Sequence, residues 1–334
     1  MNETATVPRG VSPVPTELLA RRFARHAAEF ASAAARVRVA QDPQALHDLR
    51  SSALTLEAML GTWSGLLDPR PRLAALRGLR RLRRRLGRGR RLEAHTLLLV
   101  ALSAPAAPDC GEPVLGLLDD LRRRLRVRTA RAARCLRPRR LQPLWERIGS
   151  ARSSLGTGAD GDVRAFDRAR AYLLGRRAMA RVAVEMALAH EDDWLLRRSR
   201  SGVERWRHAL ECMNGARTPG PDPGPVLRRL EEILDAALDR AALVGAIQRR
   251  RRDGVRPVGF EALLGPLRAE KQVAFERFRA LATAHGAHSA TRSPTARIPR
   301  VTHAPGAAHP ASSSPGERWE RMAQWLLGKG RERV

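Results

Sequence analysis

Arginines at helical spacing in residues 196–211 form the most suggestive chemical pattern of the chain. Read as an α-helix at about 100° per residue, the segment has one apolar stripe, with Arg200 and Arg207 at its edge. The stripe consists of Leu196, Val203, Trp206 and Leu210. Guanidinium groups in this position can lay their stems on apolar atoms and direct their heads into a shared cavity. The pattern favours anion binding, although for this segment alone a solvated arginine face is the simpler interpretation.

A second segment, residues 46–60, repeats the pattern. His47 aligns with Arg197 and Arg50 with Arg200 at a spacing of 150 residues. Three further blocks match in the same order, namely 18–22 with 173–177, 79–86 with 227–234, and 117–122 with 263–268. Ordered matches at nearly constant spacing predict an internal duplication of about 150 residues.

Composition restricts the class of protein and of partner. The net charge is +28, and 60 of the 62 basic residues are arginine. An excess of this size repels itself, so it predicts an anionic partner: nucleic acid, an inorganic polyanion or a membrane surface. Hydrophobic residues make up 43% and aromatic residues only 4%, which favours a helical core of Leu, Ala and Val.

Targeting signals and cysteine chemistry give no sign of an exported protein. The three cysteines show no metal-ligand spacing, so neither a disulfide framework nor a zinc site is expected. The first residues lack an apolar signal region, and no apolar run approaches the ~20 residues of a membrane span. We therefore expect a cytoplasmic, reduced protein without a membrane span.

The coarse reading of the chain is all-α. Tails are expected at 1–15 and 285–334, both disordered except for a short amphipathic helix at 317–327, and the two halves occupy 16–150 and 163–284. A Gly/Ser-rich junction at 150–162 separates the halves, and 104–113 is expected to be a loop. Helices are predicted at 16–40, 42–67, 71–102 with a weak point at Gly87 and Gly89, 114–136, 143–148, 163–190, 192–213, 225–252 and 260–284.

Several motifs together resemble those of the CHAD domain, the conserved histidine α-helical domain. The tetrapeptide HDLR at 47–50 resembles the opening motif, and residues 197–208 correspond to its counterpart in the second half, usually HRLRxxxKRxRY. Residues 86–93 resemble the LGxxRDLD segment, and 234–239 correspond to a second LGxxND segment. The resemblance covers roughly residues 17–284.

This resemblance implies a fold and a ligand. The fold is two tandem four-helix bundles related by a pseudo-twofold axis, and a basic cavity between them binds inorganic polyphosphate. Because no triphosphate-tunnel sequence precedes the motifs, a stand-alone form of the domain is expected.

The candidate polyphosphate-binding residues come from the motifs and from helical periodicity. Arg124, Arg128 and Arg131 form an i, i+4, i+7 stripe that could line the cavity. Residues 77–91 carry nine arginines, too many for a fully buried helix, so some of them must meet an anion or solvent. The remaining candidates are His47, Arg50, Arg90, Arg197, Arg200, Arg205 and Arg207 from the motifs, and Arg21, Arg22, Arg176 and Arg177 from the first helix of each half.

The sequence departs from the family pattern chiefly in the first half. Leu54, Thr55 and Glu57 stand where the family has basic residues, whereas the second half keeps Arg205 and Arg207. The other departures are Arg197 for the histidine, Glu204 for the lysine, His208 for the tyrosine and Arg91 for the aspartate. Glu57 and Glu204 are expected to form internal salt bridges that orient arginines. The second-half helix should therefore contribute more to anion binding than the first.

The predicted function is binding of inorganic polyphosphate, or a similar polyanion, through an arginine-lined cavity. No nucleotide-binding, metalloprotease or hydrolase motif is present, and the acids are dispersed, so we expect neither an enzyme nor a bound cofactor or metal. Two alternatives stay open: sequence-independent, weak nucleic-acid binding, and a scaffolding domain with a degenerate cavity. A cytoplasmic polyphosphate binder could associate with polyphosphate granules.

Overall fold

The computed structural model describes residues 16–86, 89–103, 107–156, 162–213, 222–252 and 260–291. Within these ranges the regular elements are ten α-helices and one 3₁₀ turn, without a strand, so the predicted all-α class is confirmed. The helices are α1 Thr16–Ala40, α2 Pro43–Thr62, α3 Pro69–Leu86, α4 Gly89–Ser103, α5 Ala107–Cys135, α6 Pro138–Ser153, α7 Asp162–His190, α8 Asp193–Met213, α9 Gly224–Arg252 and α10 Phe260–Thr291, with the 3₁₀ turn at Ser64–Leu66 after α2.

The predicted helix boundaries differ from the observed ones near several proline and glycine residues. The predicted helix 71–102 is two helices, α3 and α4, and α4 begins at Gly89. The predicted loop 104–113 is wrong from Ala107 onward, because Pro108 falls in the first helical turn, where a missing N–H costs little. Similarly, α6 is longer than the predicted 143–148, since Pro138 starts it and Pro143 is accommodated within it.

Other differences concern the ends of the chain. Helix α10 continues beyond the predicted end at 284 to Thr291. The predicted tail 1–15, most of the tail 285–334 with its short helix at 317–327, and residues 157–161 of the junction lie outside the described residues.

The connections that lead into α2 and α8 have the same construction. Gln41 and Glu191, 150 residues apart, both have a left-handed backbone, with φ of 50° and 49°. The next residue in each case is an aspartate whose Oδ1 accepts a backbone hydrogen bond two residues on, at 2.9 Å for Asp42 and 2.7 Å for Asp192. Such a cap fixes where the following helix starts, so both motif helices begin at matching positions.

Four apolar clusters hold the described helices together, and the smallest includes Leu19 of α1, Trp63 and Ala165 of α7. One joins α1, α2, α3 and α6 and includes an edge-to-face contact of Phe30 with Trp145, 5.1 Å between ring centroids. Another joins α7, α8, α9 and α10 around Leu196, Val203 and Phe278. A third joins α4 and α5 to α9 and α10, which links the two halves.

The halves are unequal in the described part of the chain. Helices α1–α6 fall in the first half and α7–α10 in the second, because α3 and α4 are separate where α9 is continuous, and α6 has no counterpart. The two motif helices α2 and α8 contact each other: Thr55 Oγ1 lies 3.1 Å from His208 Nδ1. The pseudo-twofold pair of four-helix bundles stays a prediction. None of the described helices combines the length and apolar character that a membrane crossing requires.

Candidate anion-binding clefts

Ten of the fourteen predicted site residues line three clefts between helices of the two halves. We call them the α5–α9 cleft, lined by α4, α5, α8 and α9; the α2–α9 cleft, lined by α2, α8 and α9; and the α3–α7 cleft, lined by α2, α3, α7 and α8. Their volumes are about 820, 400 and 470 Å³.

The α2–α9 cleft brings together the central motif residues. His47, Arg50, Arg200 and Arg207 all line it, as their spacing on α2 and α8 predicted. Its charges nevertheless balance, because four arginines face four carboxylates. The arginines are Arg50, Arg200, Arg207 and Arg228, and the carboxylates are Glu204, Glu231, Glu232 and Asp235.

Arg200 is held by carboxylates on two helices. Its Nε and Nη2 donate to the two oxygens of Asp235 at 2.9 and 3.2 Å, and its Nη1 forms an ion pair with Glu204 one turn along α8. Burial alone would lower the pKa of Arg200, but Glu204 and Asp235 outweigh it and raise the pKa well above the usual value. Burial would likewise raise the pKa of Glu204, and Arg200 reverses this and lowers it. The predicted salt-bridge role of Glu204 is confirmed.

All three guanidinium nitrogens of Arg207 likewise donate hydrogen bonds to carboxylates. Its Nε donates to Glu231 Oε1 at 2.7 Å, its Nη2 to Oε2 at 3.2 Å, and its Nη1 to Glu211 Oε1 at 2.7 Å. Although burial opposes it, these carboxylates raise the pKa of Arg207. An anion entering the α2–α9 cleft would have to compete with carboxylates already in place, so the cleft is poorly suited to strong anion binding.

The α5–α9 cleft has a large excess of positive charge. The predicted residues Arg124, Arg128 and Arg131 line it from α5, and Arg197 lines it from α8. Sequence reasoning did not assign Arg123 and Arg249 to the site, although both also line it. The run of arginines that ends α9 contains Arg249, and such a run is also what a solvated helix end would show.

The two carboxylates of the α5–α9 cleft already have partners. Asp120, whose side chain is 5% exposed, is 2.8 Å from Arg123, 2.7 Å from Arg124 and 3.4 Å from Arg250. Burial would raise the pKa of Asp120, but hydrogen bonds from Arg123 and Arg124 lower it. Asp193 lies 2.7 Å from Lys271 Nζ. In the described part of the chain, no carboxylate lies within 4.0 Å of the guanidinium groups of Arg128, Arg131, Arg197 and Arg249.

The α3–α7 cleft contains two other predicted residues, Arg176 and Arg205. They face Arg80, Arg83 and Arg84 of the arginine-rich segment on α3. The only carboxylate among the described lining residues is Glu57, which accepts a hydrogen bond from Arg83 Nε at 3.0 Å. Glu57 therefore has the predicted role of a salt-bridge partner.

The remaining candidates do not line these clefts. Arg21 forms an exposed ion pair with Glu17 one turn earlier on α1, and the guanidinium of Arg177 lies 6.0 Å from the ring centroid of Trp206. Arg22 is likewise absent from the linings of the three clefts. The side chain of Arg90 lies outside the described residues. Of the four candidates on the first helix of each half, only Arg176 lines one of the three clefts.

In the described ranges, no group of three or more His, Cys, Asp or Glu side chains is placed to hold a metal ion. Guanidinium groups outnumber carboxylates in the α5–α9 and α3–α7 clefts. Such an arrangement can bind and neutralise oxyanions through bidentate, charge-assisted hydrogen bonds.

Comparison with known proteins gives a family and a fold. The sequence model of the family described as CHAD domain matches residues 21–237. The crystal structure of the CHAD domain from the plant Ricinus communis is similar, with a TM-score of 0.58 and 18% identity over 85% of this chain and 96% of that one. The structure of PptA from Streptomyces chartreusis has a TM-score of 0.59 and 21% identity over 82% of this chain and 99% of that one. No curated protein matches the sequence.

Proposed function

The chain belongs to the CHAD domain family, as its motifs predicted, and we propose that it binds inorganic polyphosphate in the α5–α9 cleft. The observation that carries the proposal is a set of arginines in that cleft that have no carboxylate of the described residues within 4.0 Å. They come from three helices: Arg128 and Arg131 from α5, Arg197 from α8 and Arg249 from α9. The family resemblance supports the proposed ligand class, and the arrangement of these arginines supports the choice of this cleft.

The proposed mechanism of binding is electrostatic and multidentate. Successive phosphates of the chain meet guanidinium forks, and release of counter-ions supplies much of the binding free energy. A volume of about 820 Å³ lies within the usual range of ligand sites. Apolar side chains such as Leu92, Leu121 and Val127 complete the lining, and by lowering the local dielectric they strengthen each charge–phosphate contact.

The α2–α9 cleft has a supporting role in this proposal. Arg200 and Arg207 join α8 to α9 through Asp235 and Glu231. Because α8 carries Arg197 and α9 carries Arg249, these ion pairs fix the relative position of two walls of the α5–α9 cleft. Arg200 and Arg207, predicted to bind polyphosphate directly, are here proposed to position the residues that do.

Binding rather than catalysis is the function that these residues support. The carboxylates of the α5–α9 cleft, Asp120 and Asp193, are engaged with cationic side chains, which disfavours both as general bases. The cytoplasmic location and the association with polyphosphate granules stay predictions.

A competition experiment tests the ligand class. Filter binding should compare polyphosphate with single- and double-stranded DNA at matched phosphate concentration and physiological salt. We expect polyphosphate to outcompete both, because the cleft should admit a bare phosphate chain more readily than a strand that carries bases, and should exclude a duplex. The logarithm of the affinity should fall with the logarithm of the salt concentration at a slope of about −0.7 per phosphate contact, by analogy with single strands. Equal affinity for duplex DNA would favour sequence-independent nucleic-acid binding, and no binding to either would favour a scaffold.

A further inference from the structure

Helix α7 has an apolar face on the outside of the described structure. Its inner face is packed through four alanines that are at most 1% exposed: Ala165, Ala169, Ala180 and Ala187. On the opposite side, Leu174 is 52% and Met179 59% exposed. A Cβ added at Gly175, which lies between them, would have no atom within 4 Å. The middle of the outer face is therefore both apolar and open.

The exposed residues of this face have the spacing of a helix-pairing surface. Alternating steps of three and four residues place seven of them along one side of the helix. We call this row the α7 seam; it consists of Arg164, Asp167, Ala171, Leu174, Ala178, Arg181 and Glu185, all of them exposed. None of the seven lines any of the three clefts. The seam is thus a surface separate from the arginine clefts.

The first half of the chain buries the position that corresponds to Leu174. In the predicted duplication, residues 18–22 align with 173–177, so Leu19 of α1 is the counterpart of Leu174. Leu19 is 1% exposed and belongs to the cluster of Trp63 and Leu66. A leucine that is core in one half is therefore half exposed in the other, where the described residues do not provide the same cover.

The charges of the α7 seam are complementary to those of a second, antiparallel copy. The seam has two arginines and two acids, although the chain as a whole has a net charge of +28. Asp167 and Arg181 lie seven residues on either side of Leu174, so an antiparallel pair centred on Leu174 brings each Asp167 to Arg181 of the second copy. The same register brings Arg164 to the partner's Glu185. A parallel pair would instead place like charges side by side, which is unfavourable.

We propose that the α7 seam is a self-association surface, on which a second copy of this chain docks antiparallel about a two-fold axis near Leu174. A two-fold contact uses the same patch on both copies, and the seam meets this requirement in shape and in charge. Ala171 and Ala178, on either side of Leu174, leave room for the larger side chains between the helices. The apolar part, residues 171–182, is about 17 Å long at 1.5 Å per residue. It is smaller than a standard interface, so we expect a weak dimer with a dissociation constant on the order of 100 µM.

Analytical ultracentrifugation of the full-length protein, without polyphosphate, tests the proposal. At physiological salt, where repulsion between two basic chains is screened beyond about 8 Å, the average mass should rise reversibly toward that of a dimer between about 5 and about 500 µM. Leu174→Glu should raise the dissociation constant at least about tenfold, because it places a carboxylate at the apolar centre of the contact. The matched control is Leu97→Glu on α4, at a leucine that is 65% exposed, and it should leave self-association unchanged. Circular dichroism should show equal helicity for all three proteins.

Charge reversal tests the orientation of the two copies. Asp167→Arg alone places an arginine opposite Arg181 of the second copy, and Arg181→Asp alone places an aspartate opposite its Asp167. Each single variant should self-associate severalfold more weakly, because the two-fold axis repeats the repulsive pair twice. An equimolar mixture of the two variants should recover the association of the parent protein, because both pairs of the mixed dimer are again of opposite charge.

Three results would overturn the proposal. The first is a parent protein that stays monomeric at about 500 µM; if Leu174→Glu then lowers its thermal stability more than Leu97→Glu does, another segment of the same chain covers the seam. The second is an equal loss of association in Leu174→Glu and Leu97→Glu, which would place the contact elsewhere. The third is a mixture of the charge variants that associates no better than either variant alone. None of these results depends on whether the α5–α9 cleft binds polyphosphate.

Discussion

The Nε of Arg207 donates a hydrogen bond to Oε1 of Glu231 across 2.7 Å and so joins α8 to α9. At the matching positions of the first half, 150 and 148 residues earlier, Glu57 accepts a 3.0 Å hydrogen bond from Arg83 and joins α2 to α3. The two halves thus contain the same ion pair with opposite polarity. Two duplicated halves can carry the charges of a contacting pair in opposite order, because the ion pair is kept either way. The pair therefore supports the predicted duplication.

This relationship predicts that the polarity of the second pair can be reversed. Arg207→Glu alone should lower the free energy of unfolding by about 3 kcal/mol, because the new carboxylate would face Glu231 and Glu211. Adding Glu231→Arg should recover at least half of that loss, and urea denaturation of the four proteins of the cycle measures the coupling. If the change in the free energy of unfolding of the double variant equals the sum of the changes in the two single variants, Arg207 and Glu231 do not act as a pair.

Close packing of α7 against α8 gives a second prediction, for stability. A Cβ at Gly202 would lie 3.0 Å from Ala180 Cα, a backbone atom that can yield only if α7 and α8 shift by a few tenths of an ångström. Gly202→Ala should therefore cost about 1–3 kcal/mol, by forcing the two helices apart. The matched control is Gly175→Ala on α7, where no atom lies within 4 Å and the better helix former should stabilise by up to about 1 kcal/mol. Thermal unfolding followed by circular dichroism should shift in opposite directions for the two variants, and equal shifts would contradict the packing argument.

The pKa of Glu211 leads to a prediction of how the free energy of unfolding depends on pH in the acid range. Burial would raise the pKa of its carboxyl, but hydrogen bonding to His208 and the charge and hydrogen bond of Arg207 lower the pKa from 4.5 to about 2. Because the folded-state pKa is the lower one, Glu211 contributes stability above the unfolded value, and this is lost as the pH falls from about 4.5 toward about 2. The free energy of unfolding should decline over that window, and Glu211→Gln should make the decline shallower. The control Asp167→Asn, at an exposed residue of α7, should leave the slope of the free energy of unfolding against pH unchanged. If Glu211→Gln gives the same slope as the parent protein, the assignment to Glu211 is wrong.

Helical periodicity was sufficient to predict which faces of the motif helices are buried. Leu196, Val203 and Leu210 lie in the second-half core, and the α5 stripe that includes Arg128 lines a cleft. Such assignments depend only on the angle between residues of one helix, which sequence spacing specifies.

Which arginines are neutralised could not be predicted in the same way. Asp235 and Glu231, the partners of Arg200 and Arg207, lie on α9, and their approach depends on how α9 is rotated against α8. Sequence spacing within one helix carries no information about that rotation. The sequence predicts direct polyphosphate binding by Arg200 and Arg207 because it does not reveal their carboxylate partners on α9, Asp235 and Glu231. The alignment of Glu231 with Arg83 in the predicted duplication was the one available signal of such pairing.

The contrast between neutralised and unneutralised arginines leads to a prediction about polyphosphate affinity. Arg128→Gln with Arg197→Gln removes two guanidinium groups that have no nearby carboxylate in the described part of the chain. Each charge-assisted hydrogen bond is worth about 1.5–3 kcal/mol, so affinity for one defined polyphosphate should fall by at least about a hundredfold. Arg200→Gln with Arg207→Gln should lower affinity much less and stability more, because it breaks ion pairs with Asp235 and Glu231.

Titration calorimetry with each variant measures the affinities, after circular dichroism has established equal helicity. The pair Arg292→Gln with Arg297→Gln removes the same charge outside the described residues and should change affinity by less than about tenfold if binding is confined to the cleft. If the Arg200/Arg207 pair weakens binding more than the Arg128/Arg197 pair, the anion displaces the carboxylates and binds in the α2–α9 cleft. If the Arg292/Arg297 pair weakens binding as much as the Arg128/Arg197 pair, binding is diffuse attraction to a protein of net charge +28, and no cleft is its site.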